Sequence, residues 1–139
     1  MKKLFFFLAI TAFVFSSCKK KDKDCSLSEA NLVGSYKVAS IKYKASATSS
    51  EEDVTNQVDA CERDDVFTFN ADHTLVYTDA GAACSPNGDD SGNWSLAGSV
   101  LSIDSDAGTV EEFSCKGFTL FANDILTSGD KVSVNYTKQ

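Results

Sequence analysis

The sequence predicts an all-β fold: an eight-stranded antiparallel up-and-down β-barrel, entered through one short helical turn. Three observations carry that prediction. After residue 25 no apolar pattern of helical period is sustained, while short segments alternate apolar and polar residues with period two. Clusters of Gly, Asn, Asp and Ser separate those segments and suit hairpin turns between neighbours in sequence. Nearly every segment sets an aromatic or branched aliphatic residue on one face, and eight such segments can close on themselves, which removes exposed strand edges.

The segments follow in order. Ser26-Leu27-Ser28-Glu29 fits a capping box, and Gly34 stops the turn after Leu32-Val33. A first strand over 34–44 alternates Tyr36 and Val38 with Lys37 and Ala39. Residues 45–60 are rich in Ala, Ser, Thr and acids and read as a long loop. Strands over 65–70 and 74–79 form a hairpin around Ala71-Asp72-His73, whose register sets Phe67 opposite Tyr77 and Phe69 opposite Leu75. Residues 80–91, with Gly81, Pro86 and Asn87-Gly88, form a second long loop. Gly98-Ser99 suits a type II′ turn between strands over 92–97 and 100–104, pairing Trp94 with Ile103 and Leu96 with Leu101. Strands over 109–115, 118–122 and 131–137 complete the meander.

Ahead of the barrel, Lys2-Lys3 and the apolar run Leu4–Phe15 read as a signal peptide over residues 1–17. The run is too short for a membrane span, which needs about 20 residues. Phe15-Ser16-Ser17-Cys18 resembles the lipobox of bacterial lipoproteins, in which the thiol takes a diacylglyceryl group and cleavage leaves the acylated cysteine as the new N-terminus. The resemblance implies that Cys18 is the lipid attachment site and that the membrane is reached through that lipid. Lys19–Asp24 is wholly charged and reads as a solvated tether. Lys rather than Asp after Cys18 argues against inner-membrane retention in a Gram-negative envelope. The expected location is therefore the outer membrane, on its periplasmic or its surface face.

The chain of 139 residues carries 13 basic and 20 acidic side chains, a formal charge of −7. Residues 25–139 hold 7 basic and 18 acidic residues, so the domain itself stands at −11. That balance excludes a nucleic-acid binder, which needs a basic face. Setting Cys18 aside leaves Cys25, Cys61, Cys84 and Cys115, an even number in an exported domain, which points to disulfides. Extending the register of the 65–79 hairpin sets Cys61 opposite residue 83, which favours Cys61–Cys84 and, by elimination, Cys25–Cys115. With no CxxC pair and one histidine, metal binding is not expected.

Leu32-Val33-Gly34-Ser35-Tyr36 resembles the lipocalin opening, Gly-x-Trp on the first strand, with Tyr in place of Trp. Cys61, then Val66-Phe67-Thr68-Phe69, then Cys84, then Gly92-Asn93-Trp94 and a closing Tyr136-Thr137-Lys138 are similar to the bacterial lipocalin-like lipoproteins. The resemblance spans about residues 31–138. It implies a calyx and, by analogy, binding of a small apolar molecule.

Candidate sites divide unevenly. His73 falls where the hairpin turn needs a left-handed residue, a conformation His tolerates, so a turn role outweighs one as general base. The carboxylate pairs sit in loops and read as solvated surface, and Asp104-Ser105-Asp106 lacks the later ligands of a calcium loop. No catalytic constellation emerges, and neither an enzyme nor a cofactor is expected. The aromatic set Tyr36, Phe67, Phe69, Tyr77, Trp94, Phe113, Phe118 and Tyr136 is the candidate ligand-binding lining, weighed against plain core packing. A second expectation is a non-enzymatic module that uses loops 45–64 and 80–91 on a filled barrel to bind another envelope protein or a surface glycan.

Overall fold

The computed structural model describes residues 25–139; the expected signal peptide, Cys18 and the tether lie outside the described residues. A single helical turn, α1 (Glu29–Leu32), leads into β1 (Gly34–Lys44), β2 (Glu52–Asp53), β3 (Val66–Phe69), β4 (Thr74–Thr78), β5 (Asp90–Ala97), β6 (Val100–Ile103), β7 (Asp106–Ser114), β8 (Gly117–Asn123) and β9 (Lys131–Lys138). Strands β3 to β9 pair in sequence order, β1 pairs with β3, and β1 also pairs with β9, so eight strands close a barrel. The short β2 lies outside that circuit, against the far end of β1 (Lys42↔Asp53, Tyr43↔Glu52).

The hairpin registers follow from the alternation. Phe67 pairs with Tyr77 and Phe69 with Leu75; Trp94 pairs with Ile103 and Leu96 with Leu101. His73 adopts φ +66 and Gly98 φ +63, the left-handed positions their turns require. Several boundaries differ from the sequence expectation. Strand β5 starts at Asp90 and β7 at Asp106, because polar residues continue the ladder beyond the last apolar one. The stretch 45–60 contains β2 and a 3-10 turn over Thr55–Gln57. The helix cap is Ser28 rather than Ser26: the Ser28 hydroxyl accepts from the Asn31 amide, and Ser26 instead offers its carbonyl to the Asn31 side chain. Two bulges also break the alternation, between Val38 and Ser40 in β1 and between Glu111 and Ser114 in β7.

The core is densest at one end of the barrel. Leu32, Tyr36, Phe69, Leu75, Trp94, Leu101, Val110, Phe118 and Tyr136 are buried in one cluster, which Leu75 and Leu101 extend toward the other end. Tyr36 meets Phe69 and Phe118 edge-on, at 5.7 and 5.1 Å between ring centres, and Phe118 stacks on Tyr136 at 4.9 Å. Such ring pairs add about 0.5–1.5 kcal/mol beyond their buried area. Helix α1 plugs this end: the Tyr36 hydroxyl donates to the Leu32 carbonyl at 2.8 Å, and the Lys138 ammonium donates to the carbonyls of Asn31 and Val33. A cation at the C-terminal end of a helical turn satisfies carbonyls the turn leaves open. Burial pushes the phenols of Tyr36 and Tyr136 up to about 12. A disulfide ties Cys25 to Cys115 in the β7–β8 turn, beside the plug.

Candidate functional site

The opposite end is open. Strand directions place there the long connections 45–65, 79–89 and 124–130, together with the two-residue turn 104–105. Inside this end, two clefts flank Ile103. One has a volume of about 320 Å³ and is lined by Phe67, Leu75, Tyr77 and Ile103, with Asp90 and Asp104 at its rim. The other, of about 200 Å³, is lined by Leu101, Ile103, Leu120, Ala122 and Ile125, with Asp106 at its rim. Pairing shows why these residues converge. Leu75 faces Gly92 and Tyr77 faces Asp90 across β4–β5, while Leu101 faces Gly108 and Ile103 faces Asp106 across β6–β7. Gly92 stands on an inward row without a side chain, which leaves the first cleft open. It also admits the Asp104 carboxylate, which a Cβ at that position would clash with. That carboxylate accepts from the Asn93 amide at 2.8 Å.

Buried or loop-embedded carboxylates hold the rim. Asp65 is 2% exposed; it accepts from the Ala80 amide at 3.0 Å and from the Tyr77 hydroxyl. Burial first, and the adjacent Asp65 carboxylate second, hold the Tyr77 phenol well above its ordinary range. Asp79 accepts from the amides of Cys84 and Gly88, both at 3.0 Å, shaping the loop that the Cys61–Cys84 disulfide staples. Asp130 is 1% exposed and accepts from the amides of Ile125, Leu126 and Thr127 at 2.8–2.9 Å and from the Tyr43 hydroxyl at 3.2 Å. Burial works against its charge, but these donors outweigh it and lower the pKa below the ordinary aspartate value. The loop so fixed presents Ile125 and Leu126 to solvent at the mouth.

A family model for a lipocalin-like domain matches residues 32–127. The chain belongs to the lipocalin-like family. No curated protein and no solved structure matches it. The open end is the accessible end of this barrel, because the helical plug closes the other.

The eight sequence-predicted aromatics divide between the two ends. Phe67 and Tyr77, 4.9 Å apart and edge to face, line the larger cleft. Tyr36, Phe69, Trp94, Phe118 and Tyr136 are buried in the closed half, and Phe113 stacks over Phe118 at 6.4 Å. The Trp94 indole donates to the Asn70 carbonyl at 3.0 Å, and His73 lies against its ring at 5.1 Å. That contact fits the turn role of His73. The cleft residues Ile103, Leu120, Ala122 and Ile125 were not singled out as a lining. Aliphatic residues at ordinary strand spacing carry no mark that distinguishes a lining from a core. Asp65 stands in an acid pair that reads as surface, and Asp130 at the end of a loop. Their only sequence signal is position, immediately before β3 and β9.

Proposed function

We propose that the protein is a lipid-anchored, non-enzymatic binding protein of the outer membrane whose open-end clefts hold a small apolar molecule. The observation that carries the binding reading is the apolar space around Ile103. It lies inside the barrel, is rimmed by stapled loops and borders the filled half through Phe67, Leu75 and Leu101. Pockets of about 300 Å³ or more with mostly apolar walls are the usual size of small-molecule sites. The lipocalin-like family, a fold used mostly for binding, supports the non-catalytic part. The lipobox at Cys18 supports the anchor. On this reading the tether begins at Cys25, which is tied to the closed end by Cys25–Cys115, and seven residue steps from Cys18 reach at most about 25 Å, so the closed end is the end nearer the bilayer.

The test of binding is fluorescence of 1-N-phenylnaphthylamine added to the detergent-extracted full chain. Uptake should be saturable and should be lost in Ile103→Trp, which fills both clefts; an unchanged signal in that variant sinks the cleft reading. For the anchor, Cys18→Ala should move the protein from the membrane to the soluble fraction, and retention on membranes would overturn it.

A further inference from the structure

A second site lies on the outer wall of the barrel, away from both ends. Pairing across β1, β9 and β8 sets two outward rows side by side: Ser40, Asn135 and Thr119 in one, Lys42, Ser133 and Phe121 in the next. These six residues line a groove of about 240 Å³. Its flanks are two acids. Glu51 forms one by pairing with Lys42 at 2.9 Å. Glu112 forms the other, from the β7 bulge, where it is held at φ +52. A bulge re-aims a side chain, and a left-handed Glu is a strained way to do it. Here the result is a carboxylate on the groove, within 3.4 Å of the Thr119 hydroxyl that donates to it.

Outward positions on a barrel wall are normally wet, yet Thr119 is 8% and Ser133 7% exposed. Among the described residues the Ser133 hydroxyl has no hydrogen-bond partner, and it borders the groove. That hydroxyl is open to solvent rather than sealed in, so it keeps a donor and an acceptor free toward the groove.

We propose that this groove binds a neutral polyhydroxylated unit, a saccharide ring. Three hydroxyls and an amide offer donors and acceptors in two rows, the carboxylates of Glu51 and Glu112 accept, and the Lys42 ammonium donates. Phe121 supplies an apolar flank for ring C–H groups; Lys131 lies 3.6 Å over that ring. The charges select the class. With Lys131 on the flank, two acids stand beside two lysines, a balanced set that selects neither an anion nor a cation. Among the described residues no three His, Cys, Asp or Glu come together as metal ligands. The groove has the volume of roughly eight waters at ~30 Å³ each, space of the order of one sugar ring. The inference stands apart from the open-end clefts.

The experiment uses the ¹⁵N-labelled full chain in a sugar-free detergent. Methyl α-glucopyranoside, methyl β-galactopyranoside and N-acetylglucosamine are titrated in turn, with glucuronate and cyclohexanol as controls. At least one neutral saccharide should shift the amides of Ser40, Lys42, Thr119, Ser133 and Asn135, and the controls should not. Ser133→Val should weaken that saccharide about tenfold, the loss of one buried hydrogen bond. Glu112→Gly should also weaken it without lowering the thermal midpoint, since glycine fits the left-handed backbone. The proposal is overturned if none of the three saccharides shifts those amides, if glucuronate or cyclohexanol shifts them equally, or if Ser133→Val binds as well as the parent.

Discussion

At the closed end the strands turn in a few residues, over 70–73, 98–99 and 115–116, and rings pack on rings beneath a helical plug. At the open end the connections run over 45–65, 79–89 and 124–130, and hydrogen bonds to buried aspartates replace apolar packing as the organising force. The charges divide in the same way. Residues 44–65, 79–90, 104–106 and 124–131 hold 14 acidic and 3 basic side chains, the whole −11 of the domain, while the charges of its other residues cancel. The difference teaches that one barrel separates two tasks along its axis. Apolar burial gives one end its stability, and the other end uses its polar groups to hold long loops in place.

The comparison is broken or sharpened first through the disulfides. Loop-entropy scaling gives about 4.6 kcal/mol for the 90-residue separation of Cys25–Cys115 and about 3.4 kcal/mol for the 23-residue separation of Cys61–Cys84. Urea unfolding of the paired Cys→Ser variants should rank the closed-end staple as the costlier loss, and the reverse order would undo the division. Next, Phe69→Ala should cost about 3–5 kcal/mol, as expected for a buried ring. Phe67→Ala, in the cleft, should cost clearly less; equal losses would mean the cleft is ordinary core.

The mouth's charge gives the third expectation. Dodecyltrimethylammonium should displace a bound apolar dye at lower concentration than dodecyl sulfate. The gap should close at 1 M salt, where screening acts within about 3 Å. A gap that survives high salt would locate the preference in contacts rather than in the acidic rim.

The fourth concerns pH. Asp130 has a folded pKa below its unfolded value of about 3.9, so its contribution is complete above that value and is lost as pH falls through the lowered folded one. Amide exchange at Ile125 and Leu126 should accelerate only there, while the closed end stays protected. Loss of protection already near pH 5 would contradict the assignment. The smallest effect belongs to His73→Gly at the closed end, where glycine meets the same left-handed turn. A stability change under about 1 kcal/mol is expected from the unfolding midpoint.

Legibility followed the same division. The β3–β4 and β5–β6 registers could be read because alternation and turn residues agree there: Phe67 with Tyr77 and Trp94 with Ile103 follow once the turn is placed. The bulges at Val38/Ser40 and Glu111/Ser114 left no trace, since an extra residue in a strand costs no change of composition. The outer groove was hidden for a related reason. Ser40, Thr119, Ser133 and Asn135 are what a solvent face also carries, and only the pairing of distant strands brings them together. Asp65, one of an acid pair, reads as surface and Asp130 as the end of a loop, because burial of a carboxylate depends on which amides the folded loop turns toward it.

The pairing of β1 with β9 also sets a timetable. A chain made from its N-terminus exposes the long edge of β1 before its final partner exists. Lys138 and Gln139, whose ammonium and amide bond the plug carbonyls and Ser35, follow the rest of β9. The seal thus joins the first strand to the last: until β9 pairs, the hairpins can stand while one long edge of β1 stays open to intruders.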